Sequence, residues 1–273
     1  MKFENTWTGN WENAFRGLRH PMESYVRSDS RFGIGDTDVW LDAERDEVAY
    51  SYCPNSNENE NWDDWDEINK WLTDNGQLRY GKYAGEYAYL GKNDLDLAQR
   101  MIKAGTPNDK FLRQIFVSVD ITAPLYWWKE MDTYKVGTTA NSTSTMHKLA
   151  STPITLDCFE MDDFNSDIYD CFENENGERI EKPFETVYIK PWIMELEYLR
   201  KNYLETKDIR YWKELIRWLP ESWLQTRTWS ANYSILRNIY HWRKSHKLTE
   251  WHQFCDWMKT LPYADNLIVF DNN

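Results

Sequence analysis

The chain has 273 residues, enough for one large domain or two small ones. A formal charge of -13 denies it the basic footprint that non-specific nucleic-acid binding needs, and no run approaches the ~20 apolar residues of a membrane span. Aromatic residues make up 16% of the chain, with 16 Trp and 17 Tyr, a composition that favours a packed globular protein over disorder.

Residues 1–60 show no sustained periodicity and read as irregular. They hold a basic cluster, Arg16, Arg19, His20, Arg27 and Arg31. It is either a solvated face with local ion pairs or a phosphate-facing loop. Trp62, Trp65, Ile68, Trp71 and Leu72, with Asp63, Asp64 and Asp66 at the front, predict an amphipathic helix with a core-facing stripe. Tyr80 to Tyr89 reads as a turn or hairpin. Asp94 is the expected N-cap of a helix carrying Leu95, Leu97, Ala98, Met101 and Ile102, with Gly105 as its stop.

Ile115, Val117, Val119 and Ile121 alternate with Phe116, Ser118, Asp120 and Thr122, the period-2 pattern of a strand. Pro124 ends it and opens a helix on which Leu125, Trp128 and Met131 share a face. Val136 to Thr145 is a run of hydroxyl and small residues, read as a hydrogen-bonding loop. Residues 151–190 read as an acidic, solvated insertion without the spacing of a calcium loop. Two helices follow, one from near Pro191 with Trp192, Leu196, Leu199 and Tyr203, the next from Asp208 to Trp218. Leu236 to Lys244 and a segment opening at Thr249 predict the last two helices.

Cys53, Cys158, Cys171 and Cys255 are scattered without a Cys-x-x-Cys pair, and the five His form no ligand spacing, so neither a disulfide framework nor a metal site is expected. The N-terminus lacks the apolar stretch of a signal peptide. The expectation is a reduced, cytoplasmic protein.

The order of these segments resembles the flavin-dependent thymidylate synthases. In that family a strand ends in Ala-Pro and leads through a helix to Arg-His-Arg, then to a loop of the form Asn-Glu-x-Ser-x-Arg. Here Ala123-Pro124 holds its place, Thr133, Tyr134 and Lys135 stand at the basic triplet, and Asn141 and Ser144 match after one inserted residue. Ser142 stands at the Glu position and Met146 at the last Arg. Further on, Leu219-Pro220, Arg227 and Trp229-Ser230-Ala231-Asn232 follow the family's Leu-Pro, Arg and Trp-Thr-x-Asn frame, and Trp242-Arg243 stands where the family has Leu-Arg. The frames span roughly residues 95–260.

The resemblance implies an α/β (α+β) fold, a central and largely antiparallel sheet flanked by helices, formed by 1–273 as one domain. It implies a homotetramer with sites shared between chains. It also implies FAD as cofactor, with methylenetetrahydrofolate and NADPH as co-substrates and a pyrimidine deoxynucleotide such as dUMP as acceptor. Carried over by position, Gln114, Thr133, Tyr134, Lys135, Asn141 and Asn232 would contact the cofactor. Lys129, Glu130, Ser142, Ser144, Arg227 and Arg243 would contact the nucleotide. No protein nucleophile is implied, in keeping with cysteines that lack an activating Arg or His context. Because the basic triplet is rewritten and Glu130 replaces a family Gln, a second expectation stands beside the enzyme. It is a catalytically silent protein on this fold that binds a nucleotide or a protein partner.

Overall fold

The computed structural model describes residues 1–34, 86–161 and 169–270. The predicted Trp62–Leu72 helix, Cys53 and Asp162 to Asp167 lie outside these residues. The chain clusters into two compact units interleaved in sequence: 1–2, 121–135 and 140–228 form one, and 3–120, 136–139 and 229–273 the other.

Residues 1–34 form regular elements, correcting for that part the expectation of irregular structure over 1–60. Strand β1 is Lys2–Gly9, and helix α1 is Trp11–Arg19. Trp11, Ala14, Phe15 and Leu18 fall at helical spacing and are buried. Strands β2, Arg31–Ile34, and β3, Glu86–Tyr89, pair antiparallel. Helix α2 is Lys92–Ala104. Its expected cap is displaced, because the side chain of Asp29 accepts from the backbone N–H groups of Asn93 and Asp94 at 2.8 and 3.1 Å. That contact needs Gly91 at the helix entry: a Cβ there would lie 2.2 Å from Asp29 Cγ. Asp94 is left free to pair inward. Fully buried, it accepts from Arg19 Nε at 2.6 Å and from Ser28 Oγ at 2.6 Å. Arg19 is therefore neither a solvated cation nor a phosphate ligand, but half of a buried ion pair.

Strand β4, Phe116–Pro124, and helix α3, Leu125–Met131, follow the predicted pattern, with Val117, Val119 and Ile121 buried. The inward face of α3 uses Trp127 as well as Trp128 and Met131. Its first N–H groups, from Leu125 and Tyr126, are satisfied by the carbonyls of Trp223 and Glu221 at 3.1 Å each. Part of the expected hydroxyl loop is a strand, β5, Thr139–Ser142, followed by a single helical turn α4, Thr145–Lys148.

The acidic segment is not wholly a solvated insertion. Ile154 and Phe159 join Leu149, Leu196 and Leu215 in a core cluster, and β6, Tyr169–Glu173, forms a hairpin with β7, Arg179–Pro183. Helices α5, Lys190–Thr206, and α6, Ile209–Arg217, then match expectation. Strand β8 is Leu224–Asn232, followed by α7, Tyr233–Arg243, α8, Thr249–Lys259, and the short α9, Ala264–Leu267. Helix α8 begins at Thr249 but is preceded by Leu248 at the cap, without a side-chain bond.

The central sheet runs β1-β4-β8-β5. Strands β4 and β8 are antiparallel: Thr122 bonds Thr226 through their hydroxyls at 2.7 Å, Ser230 bonds Ser118 at 3.3 Å, and Tyr233 N–H donates to Ile115 O at 3.0 Å. The expected fold class, a central antiparallel sheet flanked by helices, is what the chain adopts. Part of the aromatic content packs in the core. In the second unit Trp11 meets Tyr233 edge-on at 5.2 Å, Phe3 stacks on Trp257 at 5.4 Å, and Trp229 packs against Phe254 at 5.9 Å. Among the described residues, no helix is long and apolar enough to cross a membrane.

Candidate functional site

In the first unit, Arg227 is the centre of a fixed polar network. It sits on β8, 16% exposed, with its guanidinium 4.3 Å from the ring centre of Trp128. Nε donates to Gln225 Oε1 at 2.9 Å, and Nη1 donates to Asp132 Oδ1 at 2.9 Å. Buried Gln225 in turn donates from Nε2 to Thr143 O at 2.9 Å, and its own carbonyl accepts from Trp128 Nε1 at 2.9 Å. The network ties β8, helix α3 and the segment after β5 into one patch. Of the predicted nucleotide contacts, Arg227 lies on β8, Lys129 and Glu130 on α3, Ser142 at the end of β5 and Ser144 just after it.

The charges are already partnered within the chain. Lys129 Nζ lies 2.6 Å from Glu221 Oε1, both exposed, and Arg227 is paired with Asp132. Thr133 turns its hydroxyl back to Glu130 O at 2.7 Å and so terminates α3. Tyr134 is half-buried, while Lys135, Asn141 and Ser142 are exposed. The triplet position therefore supplies a helix stop, a phenol and one cation in place of three family cationic or imidazole groups.

The second unit holds a cavity of about 680 Å³ at the N-terminus of α7. Asn232 is its hinge: it caps α7, its Oδ1 accepting from Ile235 N at 3.1 Å, and it lines the cavity. Ser234, Asn238 and His241 line the same wall at helical spacing, and Arg113 and Arg237 add cations. Arg237 is held by the carbonyls of Ile268, at 3.0 Å, and Phe270. Gly137 forms one edge with φ +75, a conformation that favours glycine, and a Cβ there would lie 2.9 Å from the flexible tip of Ile235. Thr106 of the Thr-Pro turn also lines it.

Gln114 is outside this lining. It is exposed, with its carbonyl accepting from Asn10 Nδ2 at 2.8 Å, and its neighbour Arg113 takes the place beside the cavity. Arg243 stacks over Trp251 at 4.4 Å. It ends the 11-residue helix that Asn232 begins, so the two stand roughly 16 Å apart along the axis. Sequence reasoning missed Arg113, Ser234, Arg237, Asn238 and His241. The signal for three of them was a polar stripe at 234, 238 and 241 on one helix face.

The fold, a central antiparallel sheet flanked by helices, is that of the flavin-dependent thymidylate synthases. Two crystal structures carry the likeness, both of the flavin-dependent thymidylate synthase ThyX from Helicobacter pylori with FAD and dUMP. One aligns over 99% of this chain and 99% of its own with a TM-score of 0.55, the other over 100% and 99% with a TM-score of 0.54, and each is 14% identical. No protein-family profile and no curated protein matches the sequence.

Proposed function

We propose that the chain is a flavin-binding relative of the thymidylate synthases that transfers a one-carbon group from a folate to a pyrimidine deoxynucleotide. The observation that carries this reading is the cavity at the start of α7. Asn232, at the position the resemblance assigns to a flavin contact, lines it together with Ser234, Asn238 and two arginines.

The residues suit the group. Amide and hydroxyl side chains match the carbonyl and imide edge of a flavin ring, and Arg113 and Arg237 match its phosphates, outnumbering the one carboxylate of the lining, Asp109. The volume is that of a cofactor site. The α7 N-terminus adds a partial positive charge toward an anion. A bound flavin supplies the hydride chemistry. The chain's own part is to bind, orient and exclude water. Gly137 keeps the cavity edge open, Asn232 fixes the helix start, and Arg227, held over the ring of Trp128 and bonded to Gln225 and Asp132, presents its guanidinium to a nucleotide anion.

A second reading, a silent nucleotide binder, has one observation in its favour. The basic triplet is rewritten: Thr133 turns its hydroxyl back to Glu130 O at 2.7 Å and ends α3, so the position supplies a helix stop where the resemblance expects a cation. Incubation with FAD, NADPH, methylenetetrahydrofolate and dUMP separates the two. Formation of thymidylate supports the enzyme. Heat stabilisation by dUMP without turnover supports the binder, and neither response removes both.

A further inference from the structure

The cleft between α5 and α6, wholly within the first unit, has no part in the proposed reaction. It is a cavity of about 300 Å³ walled by Trp192, Glu195, Leu196, Leu199, Glu214 and Trp218. Trp192, Glu195, Leu196 and Leu199 share one face of α5 at spacings of three, four and seven, and Glu214 and Trp218 are four apart at the end of α6. Each helix thus contributes one indole and one carboxylate. The two indoles stand at 85° with centres 6.0 Å apart, and they stay 39% and 52% exposed. Trp218 is locked by its Nε1, which donates to Glu214 Oε2 at 2.9 Å. Buried Leu196 forms an apolar floor.

The chemistry of this box narrows its occupant. No Lys, Arg or His lines it. Arg217 bonds Glu214 and offsets part of that charge, but among the described residues Glu195 has no cation paired with it. An anion is repelled by two carboxylates. A neutral apolar ligand would desolvate them without return. A bare divalent cation needs six or more oxygen ligands, and indole faces supply none. A primary ammonium needs three acceptors, and Glu214 already spends its two oxygens on Trp218 and Arg217; what remains is a cation whose charge is spread over methyl groups, which two perpendicular indole walls attract through their faces. We propose that the α5/α6 cleft binds a small organic cation bearing a quaternary ammonium group. The small volume and closed floor favour a free molecule over a protein segment.

The test is calorimetric titration of the full chain with choline and with its neutral isostere, in which carbon replaces the nitrogen. Choline is expected to bind at one site, and the isostere about tenfold more weakly. Trp192→Ala and Trp218→Ala should each weaken choline about tenfold, and Glu195→Gln a few-fold, with thermal melting confirming that each variant is folded. If Trp192→Ala melts early, Glu195→Gln carries the test alone, since it leaves the packing in place. Equal binding of choline and isostere overturns the proposal, as does silence at about 50 mM choline. A trimethyllysine peptide binding more than about tenfold tighter than choline would also overturn it, by assigning the cleft to a protein partner.

Discussion

Asp132→Asn isolates the charge that competes for Arg227. The asparagine keeps the shape and an oxygen for Nη1, and removes only the negative charge. The pair is a single contact of 2.9 Å between a guanidinium 16% exposed and a carboxylate 48% exposed. Half the pair faces solvent, so its worth falls in the range of exposed ion pairs, about 0.2–1 kcal/mol. A phosphate arriving at Arg227 must displace that interaction. Removing it should tighten dUMP binding by about 1.5- to 5-fold. Calorimetry at low salt would compare dUMP with deoxyuridine, which lacks the phosphate. The gain should appear for dUMP alone and shrink as salt is raised. It should vanish when Arg227→Ala is added, because the two residues then act as one unit. The same gain for deoxyuridine, or none for dUMP, would refute the assignment of Arg227 as the phosphate ligand.

Glu197 receives both Nε and Nη2 of Arg200 at 2.7 Å and also accepts from Ile154 N at 2.9 Å. The bond to Arg200, aided by the Ile154 N–H, holds its carboxyl below the usual carboxylate range against the opposing effect of burial. A lowered folded value means the stabilisation is present above the unfolded value and is lost as pH falls through the folded one. Glu197→Gln should therefore cost about 1 kcal/mol near neutrality, a Tm loss of roughly 2–4 °C, with the gap to the native protein closing in acid. A gap that widens on acidification would contradict the linkage. Arg19→Ala leaves Asp94 buried without its cation and should lose about 3–5 kcal/mol in urea unfolding, while a loss under 1 kcal/mol would show the pair to be dispensable. Burial pushes the Cys255 thiol up to about 11. At pH 8 only about a thousandth of it is thiolate, so mass spectrometry after iodoacetamide should find Cys158 alkylated before Cys255. Early labelling of Cys255 would mean that this core opens.

Periodicity made much of this fold legible. Alternation along Ile115–Ile121 and three-residue spacing along Leu125–Met131 gave β4 and α3, because each buries one face. The N-terminal helix is written just as plainly in Trp11, Ala14, Phe15 and Leu18, with Arg16 and Arg19 of the basic cluster set beside them. Strand β5 gave no signal, since Thr139, Ala140, Asn141 and Ser142 are exposed on both faces and pair only through backbone. The Asp94 cap failed for a long-range reason: Asp29, 65 residues away in sequence, took the capping role. The site divides in the same way. Asn232 was readable from a short motif on a strand-helix junction. The pairing of Arg227 with Asp132, 95 residues apart, was not, because only the folded sheet brings them together.

Titration of the flavin-free protein with FAD, read by quenching of flavin fluorescence, bears most directly on whether the cavity at the start of α7 is a cofactor site. Saturable quenching is expected, weakened about tenfold or more by Asn232→Leu, which removes both the cap and the amide. Flavin that stays fully fluorescent with the folded native chain, or quenching that Asn232→Leu leaves untouched, would contradict the account.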